Sequence, residues 1–100
     1  MRITFSRRAQ LDLDQIWTHV AQQSGSEKSA TRLLDSIQKT CNLIRRSPNI
    51  GRKRDEDLCA GMRSHPSGND LVFYRIRSGA VCVVRVLHGK RDIPKILRTQ

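Results

Sequence analysis

Hydrophobic and polar positions alternate with period two in the second half of the chain and with a helical period in the first half. Between Leu58 and Asp92 lie three short runs rich in β-branched and aromatic residues, each bounded by Gly, Pro, Ser, Asn or Asp. That punctuation belongs to strands and turns. The runs Leu58 to His65, Leu71 to Arg77 and Ala80 to His88 predict a three-stranded antiparallel meander, with returns at Pro66 to Asp70 and at Ser78-Gly79. The second return sets the faces, because a one-residue slip exchanges them. A two-residue turn would pair Arg77 with Ala80 and part Arg75 from Arg85. A G1 bulge at Gly79 would pair Ile76 with Ala80 instead. The bulged register is expected, since it avoids burying an unpaired arginine. It gathers Val72, Tyr74, Ile76, Ala80, Cys82, Val84 and Val86 on a core face. Leu71, Phe73, Arg75, Val81, Val83, Arg85 and Leu87 then stand on a face open to a partner.

The N-terminal half predicts a strand and two helices. Ile3 and Phe5 alternate within Arg2 to Phe5. Ser6 can cap a first helix, whose positions Ala9, Leu13, Ile16, Trp17 and Val20 form one stripe. Trp17 lies in that stripe and reads as core, and Asp12 and Asp14 read as partners of the helix dipole. After Gly25, Ser26 can cap a second helix with Ala30, Leu33, Leu34, Ile37, Cys41 and Ile44 on a single face, which Pro48 stops. So short a link implies an antiparallel helical hairpin that needs a surface to cover. The predicted fold is therefore α+β, of β-α-α-β-β-β order, with the hairpin packed on one face of an antiparallel sheet. Asn49 to Asp57 reads as a solvated loop in which Arg52-Lys53-Arg54 is offset by Asp55-Glu56-Asp57. Ile93 to Gln100 reads as a basic tail, mobile or ordered by a partner.

Composition narrows the partners. The chain has 100 residues and a net charge of +10, a length that suits one domain with one modest core. From Leu58 onward eight Lys/Arg face two acids, against eleven and seven before it, so the basic excess is densest over the sheet and tail. Such a field favours a polyanion, either nucleic acid or an acidic protein segment. No apolar run is long enough for a bilayer and the N-terminus has no signal-type apolar region, so the expected location is cytoplasmic, with no membrane partner. The cysteines Cys41, Cys59 and Cys82 are odd in number and widely spaced, which reads as buried free thiols. No spacing suggests a metal site or a cofactor loop, and none is expected.

The segments Ala9 to Trp17 (AQLDLDQIW), Pro48 to Arg52 (PNIGR), Gly61 to Ser64 (GMRS), Phe73 to Ile76 (FYRI) and Val86 to Asp92 (VLHGKRD) resemble, in order and over most of the chain, the RelE/ParE toxin superfamily. ParE-type toxins are the most similar. The resemblance implies a small bacterial toxin neutralised by a cognate acidic, ParD-like antitoxin, with DNA gyrase as target. RelE-type members instead cut messenger RNA on the ribosome, and a shared scaffold cannot decide between the two.

The residues offer something to each alternative. RNA cleavage by 2′-hydroxyl attack needs a base, a cation for the phosphorane and a proton donor, for which Arg63, Arg85 and His88 are the candidates and Tyr74 a further donor. However, the preferred register turns Tyr74 to the core, His88 suits a strand end bonded to backbone, and no tyrosine follows Tyr74. Binding is therefore expected rather than chemistry. An acidic and apolar antitoxin or target segment would meet Arg63, Arg75, Val81, Val83, Arg85, Leu87, Lys90 and Arg91. A plain nucleic-acid-binding module fits the charge but lacks exposed aromatics for base stacking.

Overall fold

The computed structural model describes residues 1–98. The elements are β1 (Arg2–Phe5), α1 (Arg7–Ser24), α2 (Glu27–Arg46), a 3-10 turn (Pro48–Ile50), β2 (Arg52–Lys53), β3 (Arg63–Ser67), β4 (Asp70–Arg77), β5 (Ala80–His88) and α3 (Ile93–Arg98). The α+β class and the helical hairpin on one sheet face are as predicted. The sheet itself is mixed rather than antiparallel. Its order is β1-β5-β4-β3-β2, and β1 runs parallel to β5.

Local chemistry explains the helix ends. Ser6 accepts from the Ala9 amide, Gly25 closes α1 at φ 67°, and Ser26 accepts from the Ser29 amide to open α2, so orphan donors at each start are satisfied. Ala30, Ile37, Cys41 and Ile44 are buried. Ile37, Cys41 and Ile44 pack with Ala9, Val72, Tyr74, Val81, Val83 and Val86 into a first core. Each fully buried aliphatic side chain there contributes roughly 1.5–3 kcal/mol. Trp17 is half-buried, and its Nε1 donates to Thr31 Oγ1 at 3.3 Å, which ties the two helices together.

The hairpin register differs from the expectation. Arg77 pairs with Ala80, and Ser78 and Gly79 both take positive φ, 50° and 71°, as a two-residue type I′ turn requires. The irregularity sits in mid-strand instead, between Phe73 and Tyr74 of β4. Tyr74 faces Val83 while Phe73 faces Arg85, so Val84 is left over in β5. Val81 and Val83 therefore turn to the helices, Cys82 and Val84 turn away, and Val86 returns to the helical side opposite Val72. A bulge lets one strand serve two parities.

Two further boundaries move. Leu58 to Gly61 form a turn, not the start of a strand, with Gly61 at φ 75° and its amide bonded to Asp55 Oδ1 at 2.8 Å. Pro66 lies inside β3, opposite Leu71. That is tolerated because β2 pairs only with Arg63 and Ser64, so the far side of Pro66 has no strand to receive a donor.

The face away from the hairpin is not open. Ile93 and Leu97 of α3 pack on Met62, Phe73 and Leu87 as a second core, joined by Leu58, Cys59, Leu71, Val84 and Ile96. The expected mobile tail is thus a docked helix as far as Arg98, while Thr99 and Gln100 lie outside the described residues. Ile93, Ile96 and Leu97 are spaced as one helical face, and the Lys95 amide donates to Asp92 Oδ1 at 3.3 Å as a start cap.

Candidate functional site

β5 outlasts β1. The pairing ends at Phe5 with Val83, and the strand runs on to His88 with α1 beside its edge. Polar side chains complete that edge. Ser6 Oγ donates to the Val84 carbonyl at 2.7 Å, and the Val86 amide donates to Asp12 Oδ2 at 2.9 Å. Asp12 also receives Arg85, Nε to Oδ2 at 2.7 Å and Nη2 to Oδ1 at 2.9 Å. Both side chains are buried, 4% and 6% exposed. The hydrogen bonds that Arg85 donates to Asp12 raise the pKa of its guanidinium from the usual value. Arg85 is therefore an internal cation, not a surface one.

On the helical side of β3, Arg63 Nη1 donates to the carbonyls of Asn49 (3.2 Å) and Gly51 (2.9 Å). The Tyr74 hydroxyl donates to the Pro48 carbonyl at 2.6 Å and accepts the Gly51 amide at 2.9 Å. Together they clamp the 3-10 turn onto the sheet. Burial raises the Tyr74 pKa, so the phenol stays protonated. This is the buried aromatic with a satisfied hydroxyl that the parity suggested.

On the opposite side, Arg54 bonds bidentately to Asp57 (Nε to Oδ1 3.1 Å, Nη2 to Oδ2 2.7 Å), donates to Ser64 Oγ at 2.9 Å, and stands 5.8 Å from the Phe73 ring centroid. Its guanidinium holds the Asp57 carboxyl below the usual range. The basic and acidic triplets of this loop are thus joined by a bond, not merely offset in charge. Arg75, half-buried, donates from Nη2 to Cys59 Sγ at 3.1 Å.

The expected docking face is therefore dispersed. Val81 and Val83 lie in the first core and Leu87 in the second. Arg85 is sealed against α1, and Arg63 is engaged with the turn after α2. Arg63, Arg75, Lys90 and Arg91 keep exposure, partial for Arg63 and Arg75. His88 is exposed at the strand end, where its Nδ1 accepts the Lys90 amide at 3.1 Å. The three nuclease candidates do not converge, for Arg63 and Arg85 are spent on internal acceptors. Asp12 and Asp70 are the residues that the sequence reading missed. Asp12 sits one turn after Ala9, on the margin of the apolar stripe, and that placement was the available clue.

Among the described residues no helix is long and apolar enough to cross a membrane, and no three His, Cys, Asp or Glu side chains could hold a metal. The cysteines are free. Cys41 is buried, and Cys59 and Cys82 are only partly so.

Residues 3–93 match the family model described as ParE toxin of type II toxin-antitoxin system, parDE. The chain belongs to the ParE toxin family. Toxin ParE1 of Caulobacter vibrioides is 43% identical over 83 residues, covering 83% of each chain. Toxin ParE1 of Mycobacterium tuberculosis is 33% identical over 97 residues, covering 96% of this chain and 97% of the relative. In fold, the chain resembles a structure titled as the chromosomal ParDE TA system from P. aeruginosa. The TM-score is 0.76 at 20% identity, over 88% of this chain and 95% of the other. As a ParE-family member the protein is a toxin of a type II toxin–antitoxin system, and Asp12, Arg85, Tyr74 and Gly51 belong to the internal framework of its fold.

Proposed function

We propose that this toxin acts by binding DNA gyrase in the cytoplasm, without catalysing a reaction of its own, and that a cognate acidic antitoxin holds it inactive. One observation carries the non-catalytic reading. Arg63 and Arg85, the cations an RNA-cleaving site would aim at a phosphorane, are bonded instead to the carbonyls of Asn49 and Gly51 and to Asp12. Gyrase as target follows from membership of the ParE-type branch. An antitoxin partner is supported by the ParDE title of the structural neighbour and by the net charge of +10. Of the expected contact residues, Arg63, Arg75, Lys90 and Arg91 are at least partly exposed and are the ones proposed to meet this partner.

The purified protein should abolish supercoiling by gyrase and leave cleaved DNA, while ribosome-bound message stays intact. Cut message with unimpaired supercoiling would remove the reading. His88→Ala should keep most of the toxicity, whereas a nuclease relying on that imidazole would lose nearly all of it.

A further inference from the structure

A cleft of about 610 Å³ opens between α1, the start of α2 and the outer end of β5. Ile16, Val20, Leu33, Val86 and Leu87 supply its apolar wall. At its base lies Asp70, the first residue of β4, whose backbone pairs with His88. Asp70 is only 6% exposed. Its carboxylate takes part in neither of the ion pairs among the described residues and in no hydrogen bond, with the His88 imidazole as an electrostatic neighbour. A carboxylate on so buried a residue that receives no hydrogen-bond donor from the protein is costly, and here it lines a cavity large enough to admit one. Asp12, the other acid of the cleft, is already satisfied by Arg85 and Val86.

We propose that this cleft receives one basic side chain, an arginine or lysine, from the antitoxin, with its aliphatic stem on Ile16, Val20, Leu33 and Val86 and its head on Asp70. The inference rests on the antitoxin reading above and names the contact it uses. Charge complementarity selects the occupant. A guanidinium or ammonium group supplies the donors that Asp70 lacks, and its methylene stem suits apolar walls. Strand addition along β5 is blocked where Ser6 and Asp12 hold the Val84 carbonyl and the Val86 amide. The guest therefore enters as a side chain, not as a strand. The groups that would favour the opposite charge are His19, His88 and Arg91 at the rim, and Arg91 makes no ion pair with Asp70.

Three small probes of similar length test the cleft on the toxin by amide NMR: butylguanidinium, 1-pentanol and pentanoate. Butylguanidinium should bind best and shift the amides of Leu33, Asp70 and Val86, and Asp70→Asn should erase its advantage over pentanol. Tightest binding of pentanoate would make the cleft an anion site and overturn the inference. So would an unchanged ranking in Asp70→Asn, or no probe shifting these amides. The ranking on the unaltered protein decides even if the variant folds poorly. Against the antitoxin encoded beside the toxin gene, Asp70→Asn should weaken binding about ten- to a hundredfold, the range for one charge-assisted hydrogen bond. Equal affinity of both forms overturns the inference and leaves the antitoxin reading standing. Failure of the unaltered toxin to bind removes that reading instead, and the probe ranking still judges the cleft.

Discussion

Asp12 and Arg85 are 73 positions apart and form the buried bidentate ion pair that joins α1 to the part of β5 that runs on beyond β1. Breaking such a pair from one side costs about 3–5 kcal/mol, because the remaining charge stays buried. Asp12→Ala should therefore lower the unfolding free energy by about that amount in denaturant titration. Asp12→Leu combined with Arg85→Met should recover a large part of it, since an apolar pair leaves no charge behind. A double variant as unstable as the single one would show that the Val86 amide, not the guanidinium, is the critical partner.

Gly51 packs directly beneath Tyr74. A methyl group at residue 51 would overlap the tyrosine hydroxyl and ring, so Gly51→Ala must displace either the turn or the ring. Overpacking of this kind costs about 1–3 kcal/mol. Tyr74→Phe removes an acceptor from the Gly51 amide and a donor from the Pro48 carbonyl, and should cost about 1–3 kcal/mol. Thermal unfolding of the two variants checks both, and a Gly51→Ala protein as stable as the parent would contradict the contact.

Burial raises the Asp70 pKa from its ordinary value, against a smaller lowering by His88. The folded protein then holds this proton more firmly than the unfolded chain. Stability associated with the group is present at low pH and falls as pH rises through the raised value. Asp70→Asn should accordingly stabilise the free toxin at neutral pH, an advantage that vanishes on acidification. Unfolding curves at pH 7 and pH 3.5 measure the difference, and an advantage that grew on acidification would reverse the sign.

The type I′ turn makes a local prediction. Ser78 holds φ 50° without being glycine, at a cost of roughly 1 kcal/mol. Ser78→Gly should relieve part of that strain, and Gly79→Ala, at φ 71°, should add a similar penalty. Opposite shifts in melting temperature are expected, and equal ones would count against the turn type.

The thiols should separate by reactivity. Burial pushes Cys41 up to about 11, so at pH 8 it should resist a thiol reagent until the protein unfolds. Cys59 and Cys82, both partly exposed, should react in the native state. Early labelling of Cys41 would show that the first core opens.

The sequence alone determined the elements whose cause is local. The stripes of α1 and α2, the caps at Ser6 and Ser26, and the strand cores around Val72 to Ile76 and Val81 to Val86 follow from period and capping chemistry that neighbouring residues carry. The α+β layering followed too, because two amphipathic helices need an apolar sheet. Only the tertiary structure decided which arginines face a partner. The turn at Ser78-Gly79 and the bulge at Val84 differ little in local pattern from the alternative register, and what separates them is a carboxylate on another element. Asp12 can neutralise Arg85, so burying that arginine is no longer prohibitive. Likewise, α3 is six residues long, too short to hold a helix in water by itself, and it forms because Phe73, Met62 and Leu87 offer it an apolar seat. Long-range pairing of charge and of apolar surface, absent from any window of sequence, turned the expected open face into a second core and placed Asp70 in the lining of a cleft.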